Sequence, residues 1–339
     1  MKNLKEDYFN AFFSHIYVEK SIFNHARTQK ILAKFPSATV IEIHHYKDVF
    51  CRSKQNNALQ HCSQKLILAA KQGTLLYKGA PVCQSFGNQY FYYTSCIMNC
   101  IFDCAYCYLK GMYPSANIVV FVNLEDFFAE VEQILQRHSL YLCVSYDTDL
   151  LALESITGYT QEWHNFAAKH KNLTLEIRTK CANKLFIENI TPISRIIYAF
   201  TLSPQAIIDA YEHHTPSLLE RLSCAAKLIQ LGCPVRLCFD PMIYIPNWQQ
   251  HYEEMLELVY TTVDIQKIMD VSVGTFRISQ DYLKNMRRQA PKSAVIWFPF
   301  QKDDGYYHYP DDLMEQMEYF LIQNLQEKIS KEKIFRWKL

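Results

Sequence analysis

The chain has 339 residues, enough for one large domain or two ordinary ones, and its 49% hydrophobic content allows a sizeable core. Charges nearly cancel at a net +1, so overall charge argues neither for nor against nucleic acid, and any basic patch must be local. Only eight glycines, with no G-x-G-x-x-G and no P-loop pattern, exclude a glycine-rich phosphate loop.

The N-terminus, Met1 to Asp7, has no apolar segment of a secretory signal, and no run is long enough to span a membrane. The twelve cysteines are therefore expected as reduced thiols of a cytoplasmic protein, not as a disulfide framework. Cys51, Cys62, Cys181, Cys224, Cys233 and Cys238 are expected as small buried apolar side chains.

In chain order, residues 14–50 read as strand, helix, strand, with 40–44 the clearest strand. Residues 51–82 read as polar loop and short helix, with a turn at Lys78-Gly79-Ala80-Pro81. Near residue 88 a strand–helix rhythm begins. Strands are expected at 90–94, 118–122, 141–146, 173–178, 196–202, 235–239 and 268–273. Helices are expected at 124–138 with Asn123 as N-cap, at 160–170, 183–188 and 216–231 with Gly232 ending it, and from about 249 to 263. Strand then helix, about six times, predicts an α/β fold: a partial six-stranded (β/α) barrel of the TIM type with its reactive loops at the C-terminal strand ends. The expected division is an α/β element over 1–87, the barrel over 88–275 and a closing segment over 276–339. That segment carries Arg277, Lys284, Arg287, Arg288 and Lys292. A turn at Asp303-Asp304-Gly305 is flanked by Trp297, Phe298, Phe300, Tyr306, Tyr307 and Tyr309, and the last helix is amphipathic.

Three cysteines lie within eight residues, Cys100, Cys104 and Cys107, spaced C-x3-C-x2-C directly after the first barrel strand. Three thiolates hold three irons of a cubane and leave the fourth open. A structural zinc site is the alternative. It needs a fourth ligand, for which Cys96, His45 and His61 are candidates.

The spacing, its place after the first strand and the aromatic Tyr106 resemble the radical S-adenosylmethionine superfamily. The resemblance implies a [4Fe-4S] cluster whose open iron binds S-adenosylmethionine, and cleavage to a 5′-deoxyadenosyl radical. Tyr106 matches the aromatic whose backbone meets the adenine. Cys104-Ala105-Tyr106-Cys107-Tyr108-Leu109-Lys110, then Phe121-Val122-Asn123-Leu124, is similar to the spore photoproduct lyase family. So are Ser145-Tyr146-Asp147-Thr148-Asp149, Arg178-Thr179-Lys180, the stretch Glu212, Thr215 and Arg221, and Asp240-Pro241-Met242-Ile243-Tyr244 with Trp248. The likeness covers about residues 15–310.

That family likeness implies a DNA-repair lyase that returns 5-thyminyl-5,6-dihydrothymine to two thymines. Its partners would be DNA bearing the lesion and an electron donor such as ferredoxin or flavodoxin. Lys180 matches a residue near the cofactor carboxylate. Ser145, Asp147, Asp149, Thr201 and Ser203 are candidates for its ribose and methionine groups, with loop capping as the plainer role. Where the better-known branch has a hydrogen-donating cysteine, this chain has Tyr146, and Cys143 falls on the opposite strand face. Cys83 is the expected donor, ahead of Cys96, with Tyr108 and Tyr146 as relay. Arg277, Arg287, Arg288 and Lys292, with Tyr306 and Tyr307, are expected at a phosphate- and base-contacting edge. Asp209, His213 and His214 read as ordinary surface. Two rival classes remain: a radical enzyme of this fold acting on another nucleoside or a peptide, and a non-enzymatic iron–sulfur or zinc nucleic-acid-binding protein.

Overall fold

The computed structural model describes residues 13–79 and 83–337. Its strands are β1 (His15–Glu19), β2 (Thr39–Ile43), β3 (Leu66–Ala69), β4 (Leu76–Lys78), β5 (Phe91–Thr94), β6 (Ile97–Met98), β7 (Asp103–Cys104), β8 (Ile118–Phe121), β9 (Leu140–Cys143), β10 (Leu173–Thr179), β11 (Ile196–Thr201), β12 (Glu212–His213), β13 (Val235–Met242), β14 (Asp270–Thr275), β15 (Arg277–Ser279), β16 (Gln301–Asp303), β17 (Tyr306–His308) and β18 (Ile334–Arg336).

The main sheet runs β4-β5-β9-β10-β11-β13-β14-β18. Six of its strands, β5 through β14, pair in parallel in the expected order, and β18 adds a seventh. β4 closes the other edge antiparallel. The sheet curls but ends on β4 and β18, so the barrel is open, as expected. Strands such as β9 (LYLC) and β11 (IIYAFT) are buried along their whole length, which suits a sheet covered on both faces.

Register puts Tyr93, Cys143 and Glu176 side by side, and Arg178, Ala199, Arg236 and Asp270 likewise. This face is the lumen, because only across a concave face can Arg236 of β13 reach β9. Its Nη1 donates to the Tyr141 hydroxyl (2.7 Å) and to Glu176 Oε2 (2.7 Å). Its Nη2 donates to Asp270 Oδ2 (2.7 Å), and Phe86 lies 3.2 Å from the guanidinium. The lumen floor is thus a satisfied buried charge network.

The first departure from expectation is β3. Leu66-Ile67-Leu68-Ala69 is wholly buried between β1 and β8, in a stretch that reads as polar loop. An apolar run of four is too short to show any period. The second is β8. It joins the N-terminal sheet, ordered β2-β1-β3-β8-β6, instead of the barrel. β2, the clearest strand by pattern, is an exposed edge. Asn123 sits at the N-cap position, but instead of capping, its side chain accepts from the Lys71 amide and donates to the Lys71 carbonyl and the Asp126 carboxylate. The helix Leu218–Gln230 starts on a Ser217/Glu220 capping box, and Gly232 follows it at φ +86°. Cys51 and Cys62 are exposed, contrary to expectation, while Cys181, Cys224, Cys233 and Cys238 are buried. Ala80 and Pro81 of the expected turn lie outside the described residues. Among the described residues no helix is long and apolar enough to cross a membrane.

Candidate active site

The cysteine loop leaves β5 at the C-terminal end of the barrel and is fastened from the N-terminal unit, from within and from the barrel. Gln64 Nε2, two residues before β3, donates to the carbonyls of Cys100 (3.0 Å) and Ala116 (2.9 Å). Asn99, at φ +68°, donates from Nδ2 to the carbonyls of Ser115 (2.6 Å) and Asn117 (2.8 Å). β7, within the loop, pairs antiparallel with β12, and Asp103 forms an ion pair with Lys110.

Burial pushes the thiols of Cys100, Cys104 and Cys107 up, Cys104 to about 12. Such buried thiols are poor free acids, and it is their thiolate form that binds metal. Cys96 is turned toward Trp163 and Lys71, and His45 caps its own turn by accepting from the Lys47 amide. His61 faces Asp103 at 3.5 Å. Among the described residues no three His, Cys, Asp or Glu side chains form a site for a single ion. Three thiols on one loop fit a cluster with one open iron, while His61, which lines the same pocket as Cys100 and Cys107, is the side chain a zinc site would draw on.

Beside the loop lies a buried carboxylate that the sequence reading did not single out as a site residue. Glu212 accepts from the Tyr106 hydroxyl, from Ser203 Oγ (2.8 Å) and from Arg221 Nη2 (2.6 Å). Burial alone would raise its pKa, but Arg221 and Lys180 hold it down at about 2. Arg221 also donates to the Thr201 and Pro216 carbonyls, each at 3.1 Å. Ser203 is therefore committed to Glu212, and Thr201 meets Arg221 through its carbonyl. Glu212 fixes the ring of Tyr106, the residue ahead of the last cluster cysteine.

Lys180 Nζ lies 5.4 Å from the centre of that ring and faces Glu212, Cys104 and Cys107. Its ammonium makes no hydrogen bond among the described residues. Asp149 aims it by accepting from the Lys180 amide (2.7 Å) and the Thr179 hydroxyl (2.7 Å). Ser145 Oγ accepts from the Arg178 amide (2.6 Å). Asp147 gathers the hydroxyls of Ser95, Tyr113 (2.8 Å) and Tyr108 (3.5 Å). These three residues hold the loop after β9, which is the plainer of the two roles expected of them.

On the lumen side, Cys83 Sγ is 3.3 Å from the Tyr146 hydroxyl. Tyr108 donates to the Tyr146 carbonyl (2.6 Å), and the two rings are 6.0 Å apart. Cys83, Tyr146 and Tyr108 are thus gathered at one place. Cys143, contrary to expectation, lies on the same lumen face: it pairs with Tyr93, whose ring stacks on Tyr146, because β9 ends at Cys143 and strand alternation does not run on to Tyr146.

The expected DNA edge divides. Arg277 is bound to both Asp240 oxygens (2.9 and 3.2 Å) and lies 3.9 Å from the Trp337 ring. Arg287 donates to the carbonyls of Ile296 (2.8 Å) and Phe298 (3.2 Å). Both guanidinium groups are thus engaged inside the fold, where they brace the closing segment. Arg288 and Lys292 are exposed, while Tyr306 and Tyr307 are half-buried on the β16–β17 hairpin.

An open parallel half-barrel with three cluster-type thiols on the loop after its first strand defines a radical S-adenosylmethionine type of enzyme. The sequence matches the family described as spore photoproduct lyase over residues 13–335, and the chain belongs to that family. A spore photoproduct lyase of Clostridium acetobutylicum is 22% identical over 242 residues, covering 68% of this chain and 71% of that one. Among solved structures, a spore photoproduct lyase with dinucleoside spore photoproduct superimposes with TM-score 0.80 at 15% identity, covering 96% of this chain and 98% of the other. A double mutant with both S-adenosylmethionine and that dinucleoside bound gives the same TM-score and coverage.

Proposed function

We propose that this chain is a cytoplasmic radical lyase of DNA repair that converts 5-thyminyl-5,6-dihydrothymine into two thymines. The observation carrying this reading is the meeting of Cys83, Tyr146 and Tyr108 at the mouth of the same barrel that presents the three-thiol loop. Cys100, Cys104 and Cys107 would hold the [4Fe-4S] cluster, and Lys180, whose ammonium makes no hydrogen bond among the described residues, suits the carboxylate of S-adenosylmethionine. When bound, this pair supplies a carbon-centred radical able to take hydrogen from C6 of the lesion.

The chain's own residues do the rest. The Tyr106–Glu212–Arg221 lock fixes the adenine side of the site. The Cys83 thiol returns a hydrogen atom to the thymine radical, and Tyr146 and Tyr108 stand behind it as relay. The lesion must leave the helix to enter, which costs less for a damaged, poorly stacked step. Arg288, Lys292, Tyr306 and Tyr307 suit the flanking strand, and a ferredoxin- or flavodoxin-type donor would supply the electron.

Anaerobic reconstitution is expected to give about four irons per chain, one cubane, and reductant with S-adenosylmethionine to repair the dinucleotide lesion. Cys83→Ala is expected to keep the iron and the hydrogen abstraction but lose clean thymine return, giving adducts in its place. Unchanged product distribution in Cys83→Ala would remove the donor assignment. Cofactor cleavage with no repair of the lesion would remove the substrate assignment.

A further inference from the structure

The tyrosines around Cys83 do not stop at the relay. Tyr93 stacks on Tyr146 with ring centres 4.0 Å apart and planes at 27°, and Tyr77 stacks on Tyr93 at 5.2 Å and 20°. β4–β5 pairing sets Tyr77 directly opposite Tyr93, so the stack is built into the sheet. The Tyr77 hydroxyl is at the surface, donating to the Thr74 carbonyl (3.0 Å). A continuous column of three phenols therefore leads from the Cys83 sulfur to solvent, away from the cluster side where Tyr108 lies. Two charges flank its outer part: Lys71, 5.3 Å from the Tyr77 ring centre, and the carboxylate of Asp147.

We propose that Tyr93 and Tyr77 form a reductive side branch that restores an oxidised Cys83 thiol at the expense of a small one-electron reductant at the surface. This rests on Cys83 as the hydrogen donor. After donation Cys83 is a thiyl radical. It takes a hydrogen atom from the Tyr146 hydroxyl across the 3.3 Å contact. The S–H bond forms, the O–H bond breaks, and Tyr146 becomes a phenoxyl radical. Tyr93 reduces Tyr146 by one electron and loses its phenolic proton, Tyr146 regaining one, and Tyr77 does the same for Tyr93. An ascorbate- or dithiol-class reductant gives Tyr77 one electron and one proton, so one thiyl is reduced per reductant equivalent. The branch lets the enzyme survive a turnover in which the hydrogen is not passed back toward the cofactor.

The test runs the column backward in apoprotein. One-electron oxidation of surface tyrosines by azide radical is followed by peptide mass spectrometry at Cys83. Wild type is expected to accumulate oxidised Cys83. Tyr93→Phe, which keeps the ring but removes the phenol, is expected to reduce that yield severalfold, whereas Tyr319→Phe, an exposed tyrosine elsewhere, leaves it unchanged. In the reconstituted enzyme Tyr77→Phe is expected to keep the first turnover and to lose the extra turnovers that ascorbate allows. Equal Cys83 oxidation in wild type and Tyr93→Phe overturns the branch, and does so without touching the donor assignment, which Cys83→Ala decides separately.

Discussion

At the scale of single residues, Glu212 governs more of the site than its exposure suggests. It joins Tyr106, Ser203 and Arg221, and its negative charge supports Lys180. A carboxylate moved from 4.5 to about 2 stabilises the fold on the order of 3 kcal/mol at neutral pH. The folded pKa is the depressed one, so this contribution is complete above the ordinary carboxylate range and is lost as pH falls from about 4.5 toward 2. Glu212→Gln leaves Arg221 and Lys180 without their anion and is expected to cost about 3–5 kcal/mol. Denaturant melts should show that loss at pH 7 and a much smaller difference near pH 2; equal curves at pH 7 would dispose of the lock. The contrast with the cysteines is instructive. Cys100, Cys104 and Cys107 are legible because their signal is local, one loop of eight residues. Glu212 lies in the stretch with Thr215 and Arg221 that carries the family likeness, but its partners Tyr106 and Lys180 lie in other segments, so spacing alone does not mark it as a site residue.

At the scale of elements, the barrel strands were readable because burial on both faces makes them dense apolar runs, as in β11. What the runs do not say is which sheet receives them. β8 has the same IVVF character and goes to the other sheet. The closing segment shows a further element-level device. The helix Gln280–Gln289 lies against the short helix Leu109–Met112 that follows the cluster loop, with Asn285 donating to the Gly111 carbonyl (2.9 Å) and Gln289 to that of Lys110 (3.1 Å). A Cβ on Gly111 would meet the backbone of Tyr282, so only glycine permits this approach. Gly111→Ala is expected to destabilise by about 1–3 kcal/mol through overpacking, visible as a lower melting temperature and faster amide exchange in residues 280–289. The same segment bears the exposed Arg288. Arg288→Ala should weaken DNA binding similarly for all sequences and lower the salt slope by about one, whereas Arg287→Ala should act through stability, because Arg287 braces the 296–298 backbone.

At the scale of the whole molecule, the N-terminal sheet is the footing of the cluster loop. Gln64, just ahead of β3, carries the Cys100 carbonyl, and β8 and β6 run to and from that loop. The division at residue 87 suggested by sequence rhythm hides this, since hydrogen bonds 36 and 52 residues apart in sequence tie the two parts together. Arg27 locks that footing to the barrel's outer helices. It donates to the Val122 carbonyl (2.9 Å), pairs with Glu125, and grips Glu162 through Nη2 (2.7 Å) and Nε. The guanidinium is only 20% exposed, so its bonds are charge-assisted and poorly screened. Arg27→Ala is expected to cost about 2 kcal/mol, to speed exchange in β1–β3, and to lower iron retention after reconstitution because Gln64 shifts with β3. Lys20→Ala is the matched control: its pair with Glu42 is 3.8 Å long with both side chains more than half exposed, and such pairs contribute about 0–1 kcal/mol. If both variants retain iron equally, the two parts of the molecule hold the cluster loop independently; loss in Arg27→Ala alone makes the N-terminal sheet part of the active site's foundation.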